Sequence, residues 1–264
     1  MRNRLMIALF VLTITVCTAL SLTARTGGLS AGTLSVQALS GQLPRMSLTA
    51  ADGVSALSDA SDPDSVLVIL DAGHGGMDGG AVGVSGLLEK EVNLAVTRTT
   101  SELLTLLGIP VSLTRSEDTD LSGLAEDAKA TVRERKRLDL KNRVELVNRC
   151  SNALLVSIHM NNFTQPQYSG AQVFYTSACG DMKALGESLQ TTLAAALDPS
   201  NTRLAKPAEG DIYLLEHSTR PAILMEGGFL SNAAEEARLR TDGYRTKMAA
   251  VLASVLCSYR PDGL

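Results

Sequence analysis

Short apolar runs alternate with stretches of helical spacing from residue 64 onward, and this alternation limits the folds open to the chain. An apolar run of four to eight residues between turn signals predicts a buried strand, and strands that alternate with helices predict a mostly parallel sheet. We therefore expect an α/β fold: a single domain with a mostly parallel, twisted sheet and helices on both faces. The predicted strands are residues 66–70, 111–114, 154–159, 171–176, 211–215 and 222–225. The predicted helices are residues 91–107, 142–150 and 182–197, with one or two closing helices within residues 235–256.

The segment at residues 116–137 is polar and irregular. This composition predicts a mobile surface loop over the site. Such loops often carry substrate contacts. Basic residues near its end are interleaved with acidic ones, which favours a solvated helix face over a binding patch. These basic residues are Arg133, Arg135, Lys136 and Arg137.

Two histidines lie at the ends of predicted strands: His74 follows one, and His159 is the last residue of another. Groups just past the C-terminal ends of parallel strands meet at one crevice, so we expect the two imidazoles to lie close together. Glu89 would add a carboxylate and complete a His₂Glu set, which zinc hydrolases use while leaving one position for water. Glu226 follows a further strand and could move protons beside that water. From spacing alone, the roles of Glu89 and Glu226 could be exchanged.

The histidines, and the glycine-rich loop that contains His74, each have an alternative interpretation. A single histidine after a strand is more often a hydrogen-bonded loop residue than a ligand, but the joint placement of two favours a metal site. The glycine-rich loop at residues 71–80 could instead cradle a phosphate, since glycine lets backbone N–H groups approach an anion. Asp78 stands where the third glycine of G-x-G-x-x-G would be, and no Gly-Lys-Ser/Thr appears, so neither nucleotide pattern fits.

Composition limits the classes of partner. The chain has 264 residues, of which 45% are hydrophobic, enough to bury one full core. Its net charge is −4 and no basic face is evident, so nucleic acid is not an expected partner. No C-x-x-C pair occurs, which argues against cysteine-based zinc or redox chemistry. Buried small side chains are the expectation for Cys150, Cys179 and Cys257, whose disulfide state the sequence leaves open.

The N-terminus predicts export. Arg2 and Arg4 precede an uncharged, mostly apolar stretch, so residues 1–24 are expected to be a signal peptide or a membrane anchor. Residues 25–63 are rich in small and polar residues and predict a flexible linker. The folded domain is then expected at residues 64–260, outside the cytoplasm and either anchored or secreted.

Five sequence blocks occur in order between residues 65 and 258. They are LDAGHGG at 70–76, LEKEVN at 88–93, LTR at 113–115, SIHMN at 157–161 and MEGGFLSN at 225–232. In order and spacing, the set resembles the zinc-dependent N-acetylmuramoyl-L-alanine amidase family (amidase type 3). Peripheral stretches at 137–144, 167–172 and 211–215 are similar to its spore-cortex members.

The resemblance implies roles for the four residues. His74, Glu89 and His159 would bind one Zn²⁺, and Glu226 would act on the water and on the scissile amide. The implied activity is hydrolysis of the amide between N-acetylmuramic acid and L-alanine in peptidoglycan. For the spore-cortex members this is a step toward the muramic-δ-lactam needed for germination, which points to the forespore intermembrane space. The implied partner is peptidoglycan, with the membrane added if the N-terminal segment stays uncleaved. The timing of expression and an activating partner protein are the two alternatives for control of an open site.

Several roles stay open at this stage. Asn161, Arg115 and Arg143 are candidates either for substrate contact or for bracing the site, with structural ion pairs and loop capping as equal alternatives. The chain could also be another zinc-dependent wall peptidase, a non-catalytic glycan-binding domain on an amidase fold, or a membrane-tethered scaffold with structural histidines. No long extra helix is evident in the sequence, which favours an open site.

Overall fold

A computed structural model of the chain describes residues 66–125, 128–177, 181–210 and 212–259. The predicted N-terminal segment (1–24) and linker (25–63) lie outside these residues, as does Cys179, so export, anchoring and the domain boundaries stay predictions. Within the described residues, no helix has both the length and the apolar composition that crossing a bilayer requires.

A six-stranded sheet forms the centre of the described part. Its strands are β1 (Leu67–Ala72), β2 (Val111–Leu113), β3 (Ala153–Asn161), β4 (Gln172–Tyr175), β5 (Lys206–Pro207) and β6 (Ala222–Phe229). The spatial order is β2-β1-β3-β6-β4-β5. Strands β1, β2, β3 and β6 are parallel, whereas β4 runs antiparallel to β6 and parallel to β5. The predicted, mostly parallel sheet is confirmed, with two reversed strands at one edge.

Helices cover both faces of this sheet. They are α1 (Glu89–Leu106), α2 (Val132–Arg149), α3 (Met182–Leu197), α4 (Tyr213–His217), α5 (Ala233–Leu239) and α6 (Asp242–Ser258). Helices α1, α3 and α6 pack over the larger apolar core, which contains Val68 and Leu70 of β1. Helices α2 and α4 cover a smaller core on the opposite face, with Ile69 and Leu155 at its centre. Because successive side chains of a covered parallel strand enter opposite cores, β1 and β3 have continuous apolar sequences.

Helix α2 begins at Val132 and not at residue 142 as predicted. Thr131 caps it: the Thr131 side chain accepts from the Glu134 N–H, and the Glu134 carboxylate accepts from the Thr131 N–H. The prediction of a loop through residue 137 is therefore wrong over its C-terminal part. Sequence analysis missed the first part of this helix because its buried face begins with the charged residues Arg135 and Asp139. These residues interrupt the apolar periodicity from which a helix is predicted.

The strand predicted at residues 211–215 is also wrong within the described residues, because Tyr213 begins α4. Leu214 and Leu215 are both buried in the smaller core. Adjacent buried leucines fit one turn of helix on a core surface, whereas in a strand they would point to opposite faces. A five-residue apolar stretch is too short for its period to separate the two.

Candidate metal centre

Two histidines and one glutamate meet at the C-terminal edge of β1 and β3. His74 follows β1, His159 lies near the end of β3, and Glu89 is the first residue of α1. One possible ligand atom from each lies within 4.8 Å of the other two. Ligand atoms of a tetrahedral zinc site stand roughly 3.3 Å apart, given bonds of about 2.0–2.2 Å. Small side-chain movements would therefore place all three around one ion.

The Glu89 carboxylate contacts both imidazoles. Its Oε1 lies 2.9 Å from Nδ1 of His159, and its Oε2 lies 3.1 Å from Nε2 of His74. The backbone N–H groups of Ala81 and Met160 donate to the same carboxylate at 2.8 and 3.1 Å. Burial raises the pKa of Glu89, but the hydrogen bonds and charge of the two histidines outweigh it and hold that pKa well below its usual range. Glu89 is therefore ionised, as a metal ligand must be.

His74 has a backbone φ of 61°, in the left-handed region that few non-glycine residues adopt. Its Nδ1 lies 2.8 Å from Oδ2 of Asp78, and this contact directs Nε2 toward Glu89. Burial lowers the pKa of His74, but the hydrogen bonds with Asp78 and Glu89 outweigh it and raise the pKa to about 9. A metal ion would therefore displace a proton from this ring.

Two glycines allow the loop to fold closely around these side chains. A Cβ at Gly73 would overlap the imidazole ring of His159. At Gly80, where φ is 68°, a Cβ would overlap the Glu89 carboxylate and come within 2.8 Å of Cδ2 of His74. The glycines thus leave the space that the cluster occupies.

Two buried arginines bind the backbone of the same loop. Arg115 donates from Nε to the carbonyl oxygen of Ala72 at 2.9 Å and from Nη2 to that of Gly73 at 3.0 Å. Arg143 donates to the carbonyl oxygens of Ala72 and His74 at 2.9 and 2.8 Å. Each arginine is only 2% exposed. Of the two roles that the sequence left open, these contacts correspond to bracing.

Asp71 and Asp139 balance the charge of Arg143. Asp71 Oδ1 lies 2.5 Å from Nη1, and Asp139 Oδ2 lies 2.7 Å from Nε. The hydroxyl groups of Ser157 and Thr114 also donate to Asp71, at 2.6 and 2.7 Å. Burial raises the pKa of Asp71, but the Arg143 charge and these hydrogen bonds outweigh it and lower the pKa to about 2. A buried ionic network therefore contacts the backbone of the loop that carries His74.

Glu226 lies beside His159 in the sheet, since the two residues are aligned between β6 and β3. Its Oε2 is buried and has no hydrogen-bond partner among the described residues. Burial raises the pKa of Glu226, the electrostatic interaction with His159 opposes this, and the negative Glu89 adds to it, with a net pKa of about 7. The carboxyl group can therefore take up or release a proton near neutral pH.

A cavity of about 610 Å³ opens next to Glu226. Asn161, at the end of β3, lines it together with Glu226, so two of the predicted site residues share this space. The remaining lining residues come from β4, from around β5 and from the turn before α4. They are Phe174, Lys206, Pro207, Glu209 and Ile212.

The basic cluster at the start of α2 is not a uniformly solvated face. Arg135 is 4% exposed and donates to the carbonyl oxygen of Leu124. Lys136 Nζ lies 3.1 Å from Oδ2 of Asp78, the residue that orients His74. Sequence reasoning missed Asp78 as an orienting residue; the available signal was a carboxylate four residues after a candidate ligand in the same glycine loop.

Comparisons with known proteins identify the family of the chain. Residues 68–257 match the N-acetylmuramoyl-L-alanine amidase family. The germination-specific N-acetylmuramoyl-L-alanine amidase of Bacillus subtilis is 39% identical over 193 residues, which cover 73% of this chain and 79% of that protein. LytC, an amidase of the same organism, is 30% identical over 194 residues, but the match spans only 35% of its length.

Solved structures give the same result. The CwlD amidase from Clostridioides difficile, in complex with the GerS lipoprotein, superposes with a TM-score of 0.68 at 39% identity, over 73% of this chain and 96% of that one. The amidase AmiC2 of Nostoc punctiforme gives a TM-score of 0.58 at 30% identity, over 72% of this chain and 94% of that one. On sequence and on fold, the chain belongs to the N-acetylmuramoyl-L-alanine amidase family.

Proposed function

We propose that the chain is a zinc-dependent amidase that hydrolyses the bond between N-acetylmuramic acid and L-alanine in peptidoglycan. The observation that carries this proposal is a pair of carboxyl groups beside two histidines, one ionised and one able to hold a proton. A metal ligand and an acid–base residue need these two different states. Family membership supports the choice of bond.

One Zn²⁺ would be held by His74, Glu89 and His159. The donor set fits, because two imidazoles and one carboxylate form the His₂Glu arrangement of hydrolytic zinc sites. Asp78 supplies the hydrogen bond that metal-bound histidines commonly receive on their second nitrogen, here at 2.8 Å from His74 Nδ1. Zinc, when bound, supplies Lewis acidity that lowers the pKa of water and polarises the amide carbonyl.

Glu226 is the acid–base residue of this proposal. Addition of water to an amide releases a proton, and the departing amine needs one, because an amide anion is a poor leaving group. A carboxyl group with a pKa of about 7 can accept the first proton and donate the second near neutral pH. Its Oε2 has no partner in the described part of the chain, so it can turn to the substrate.

Different roles are proposed for the three remaining candidate residues. Asn161 lines the cavity beside Glu226 and is proposed to contact the substrate. Arg115 and Arg143, which were also candidates for substrate contact, are proposed to brace the loop that carries His74, because they donate to its carbonyl oxygens while almost fully buried.

The spore cortex is the wall layer that we propose as the substrate, with the reaction serving as a step toward muramic-δ-lactam in germination. The support is the similarity to the germination-specific amidase of Bacillus subtilis and to CwlD of Clostridioides difficile, each at 39% identity. The matched regions cover 79% of the first protein and 96% of the second, so the similarity is not confined to the ligand motifs.

Location and partners are proposed with the same function. Residues 1–24 would direct export, so that the protein acts outside the cytoplasm, anchored or secreted, and for a cortex enzyme in the forespore intermembrane space. Residues 25–63 would be a linker and residues 64–260 the catalytic domain. An activating partner protein is proposed because the Clostridioides difficile CwlD structure contains the GerS lipoprotein.

The test is digestion of peptide-bearing cortex peptidoglycan by the full-length chain purified in detergent, with zinc or with a chelator, and products identified by mass spectrometry. We expect zinc-dependent release of intact stem peptides that begin with L-alanine. Glu226→Gln should lose this release, whereas Glu102→Gln, at an exposed position of α1, should keep it.

The same digest separates the competing functions. Free amino acids in place of stem peptides would identify another wall peptidase. Bound zinc without any product, with or without a candidate partner protein, would favour a non-catalytic binding domain. A chain that takes up no zinc would contradict the assignment of His74, Glu89 and His159.

A further inference from the structure

The cavity beside Glu226 lies on one side of the metal centre. Glu226 and Asn161 line it, whereas His74, Glu89 and His159 do not. In the proposed reaction Glu226 protonates the departing nitrogen, so the group attached to that nitrogen lies on the Glu226 side. That group is the stem peptide. A volume of about 610 Å³ is within the range of sites that enclose small ligands, and it can hold the first residues of a peptide.

Lys206 of β5 contributes a cation to the wall of this cavity. Lys206 is aligned with Phe174 of β4, which is aligned with Leu224, two positions before Glu226 in β6. With strands about 4.8 Å apart and a rise of about 3.3 Å per residue, the Cα atoms of Lys206 and Glu226 are roughly 12 Å apart. An extended lysine side chain spans about half of that separation, and two peptide residues span about 7 Å.

We propose that Lys206 determines specificity by binding the free carboxylate at the second residue of the stem peptide, an inference that rests on the amidase function above. L-Alanine is followed in peptidoglycan by D-glutamate, which is joined through its side-chain carboxyl group, so its α-carboxylate is free. With the alanine nitrogen at Glu226, this carboxylate lies about two residues into the cavity. The sheet register places the Cα atom of Lys206 so that an extended lysine side chain can reach this position.

The charges around Lys206 predict the direction in which each substitution should change the affinity for a carboxylate. Lys206 forms no ion pair with any residue of the described part of the chain, so its ammonium group is available to a ligand. Glu209 lines the same cavity and carries the opposite charge. A carboxylate in the cavity is therefore attracted by Lys206 and repelled by Glu209, and neutralising each residue should change the affinity in opposite directions.

The experiment measures binding without turnover. The zinc-loaded full-length chain in detergent is titrated calorimetrically with the free peptide L-alanyl-γ-D-glutamyl-L-lysine and with the same peptide amidated at the glutamate α-carboxyl group. We expect the free acid to bind about fivefold to tenfold more tightly, the range for a charge-assisted contact at an accessible site. Lys206→Met should remove this preference while keeping the length of the side chain, and Glu209→Gln should strengthen binding of the free acid.

Lys247→Met is the matched control, because Lys247 is exposed on α6, which covers the opposite face of the sheet. It should keep the wild-type preference. The inference is overturned if Lys206→Met retains the preference, or if the wild-type chain has none or binds neither peptide. Failure of the amidase function has a different signature: the preference for the free acid would persist while the wild-type chain released no stem peptides from peptidoglycan.

Discussion

Two carboxyl groups near the same pair of histidines have pKa values shifted in opposite directions. Glu89 contacts both imidazoles and accepts two backbone N–H groups, and its pKa lies well below the usual range. Glu226 lies on β6, next to the strand that carries His159. Its Oε2 has no partner among the described residues, and its pKa is about 7. Burial disfavours the charge of both groups, so the difference comes from the partners that surround Glu89.

The surroundings of Glu89 and Glu226 also differ: one side is rigid and the other is open. On the Glu89 side, the loop that carries His74 is fixed by guanidinium groups of Arg115 and Arg143. On the Glu226 side, a cavity of about 610 Å³ lies next to the carboxyl group. A rigid side suits a metal centre, whose ligands must hold one geometry, and an open side suits a group that must meet the substrate.

The largest expected effect separates the two carboxyl groups. Glu226→Gln should lower kcat by about 10²–10⁴, the range for loss of a general acid–base group, and should leave zinc bound. Glu89→Gln should instead lose zinc, since the amide cannot replace a charged ligand. Turnover of soluble muropeptides and zinc content by atomic emission check both results. Equal loss of zinc in the two variants would contradict the division of roles.

The next effect concerns stability on the Glu89 side. Arg143→Met should destabilise the fold by about 3–5 kcal/mol, because Asp71 and Asp139 would stay buried without their counter-charge. Urea unfolding measures this difference. Arg149→Met is the control, because that side chain is 76% exposed and should change the free energy of unfolding by less than about 0.5 kcal/mol. A fully stable Arg143→Met would show that Arg143 does not brace the loop.

The sequence predicted much of the fold and only part of the site. Strand ends locate His74 and His159, because a continuous apolar run marks a covered parallel strand. Arg143 and Asp71 meet across 72 positions of sequence, and no local pattern indicates such a pair. The wall that carries Lys206 depends on the reversed direction of β4 and β5, which the sequences of these two short strands do not encode.

A smaller effect tests how Glu89 is held. Asn93, one helical turn after Glu89, donates from Nδ2 to Glu89 Oε1 at 3.3 Å and to the carbonyl oxygen of Gly73 at 3.1 Å. Asn93→Ala should weaken zinc binding about 10- to 100-fold, as expected for an outer partner of a ligand. Thr97→Val is the control: Thr97 lies one turn further on α1, and its buried hydroxyl has no partner among the described residues. Equal zinc affinities in these two variants would contradict a positioning role for Asn93.

The smallest effect is a proton count. The pKa of His74 is raised from 6.5 to about 9, so the stability that its protonated form gives the metal-free protein is complete below about pH 6.5 and lost as the pH rises through about 9. Near pH 7.5 zinc must displace that proton, and we expect the release of about one proton per ion and an affinity that rises with pH. Calorimetry in buffers of different ionisation enthalpy measures the number of protons released.

Asp78→Asn should reduce the number of protons released, because the Asp78 carboxylate stabilises the protonated ring of His74. Zinc binding by the wild-type chain without proton release would show that His74 is already neutral there. The contrast between the two sides would then rest on the lowered pKa of Glu89 and the raised pKa of Glu226 alone.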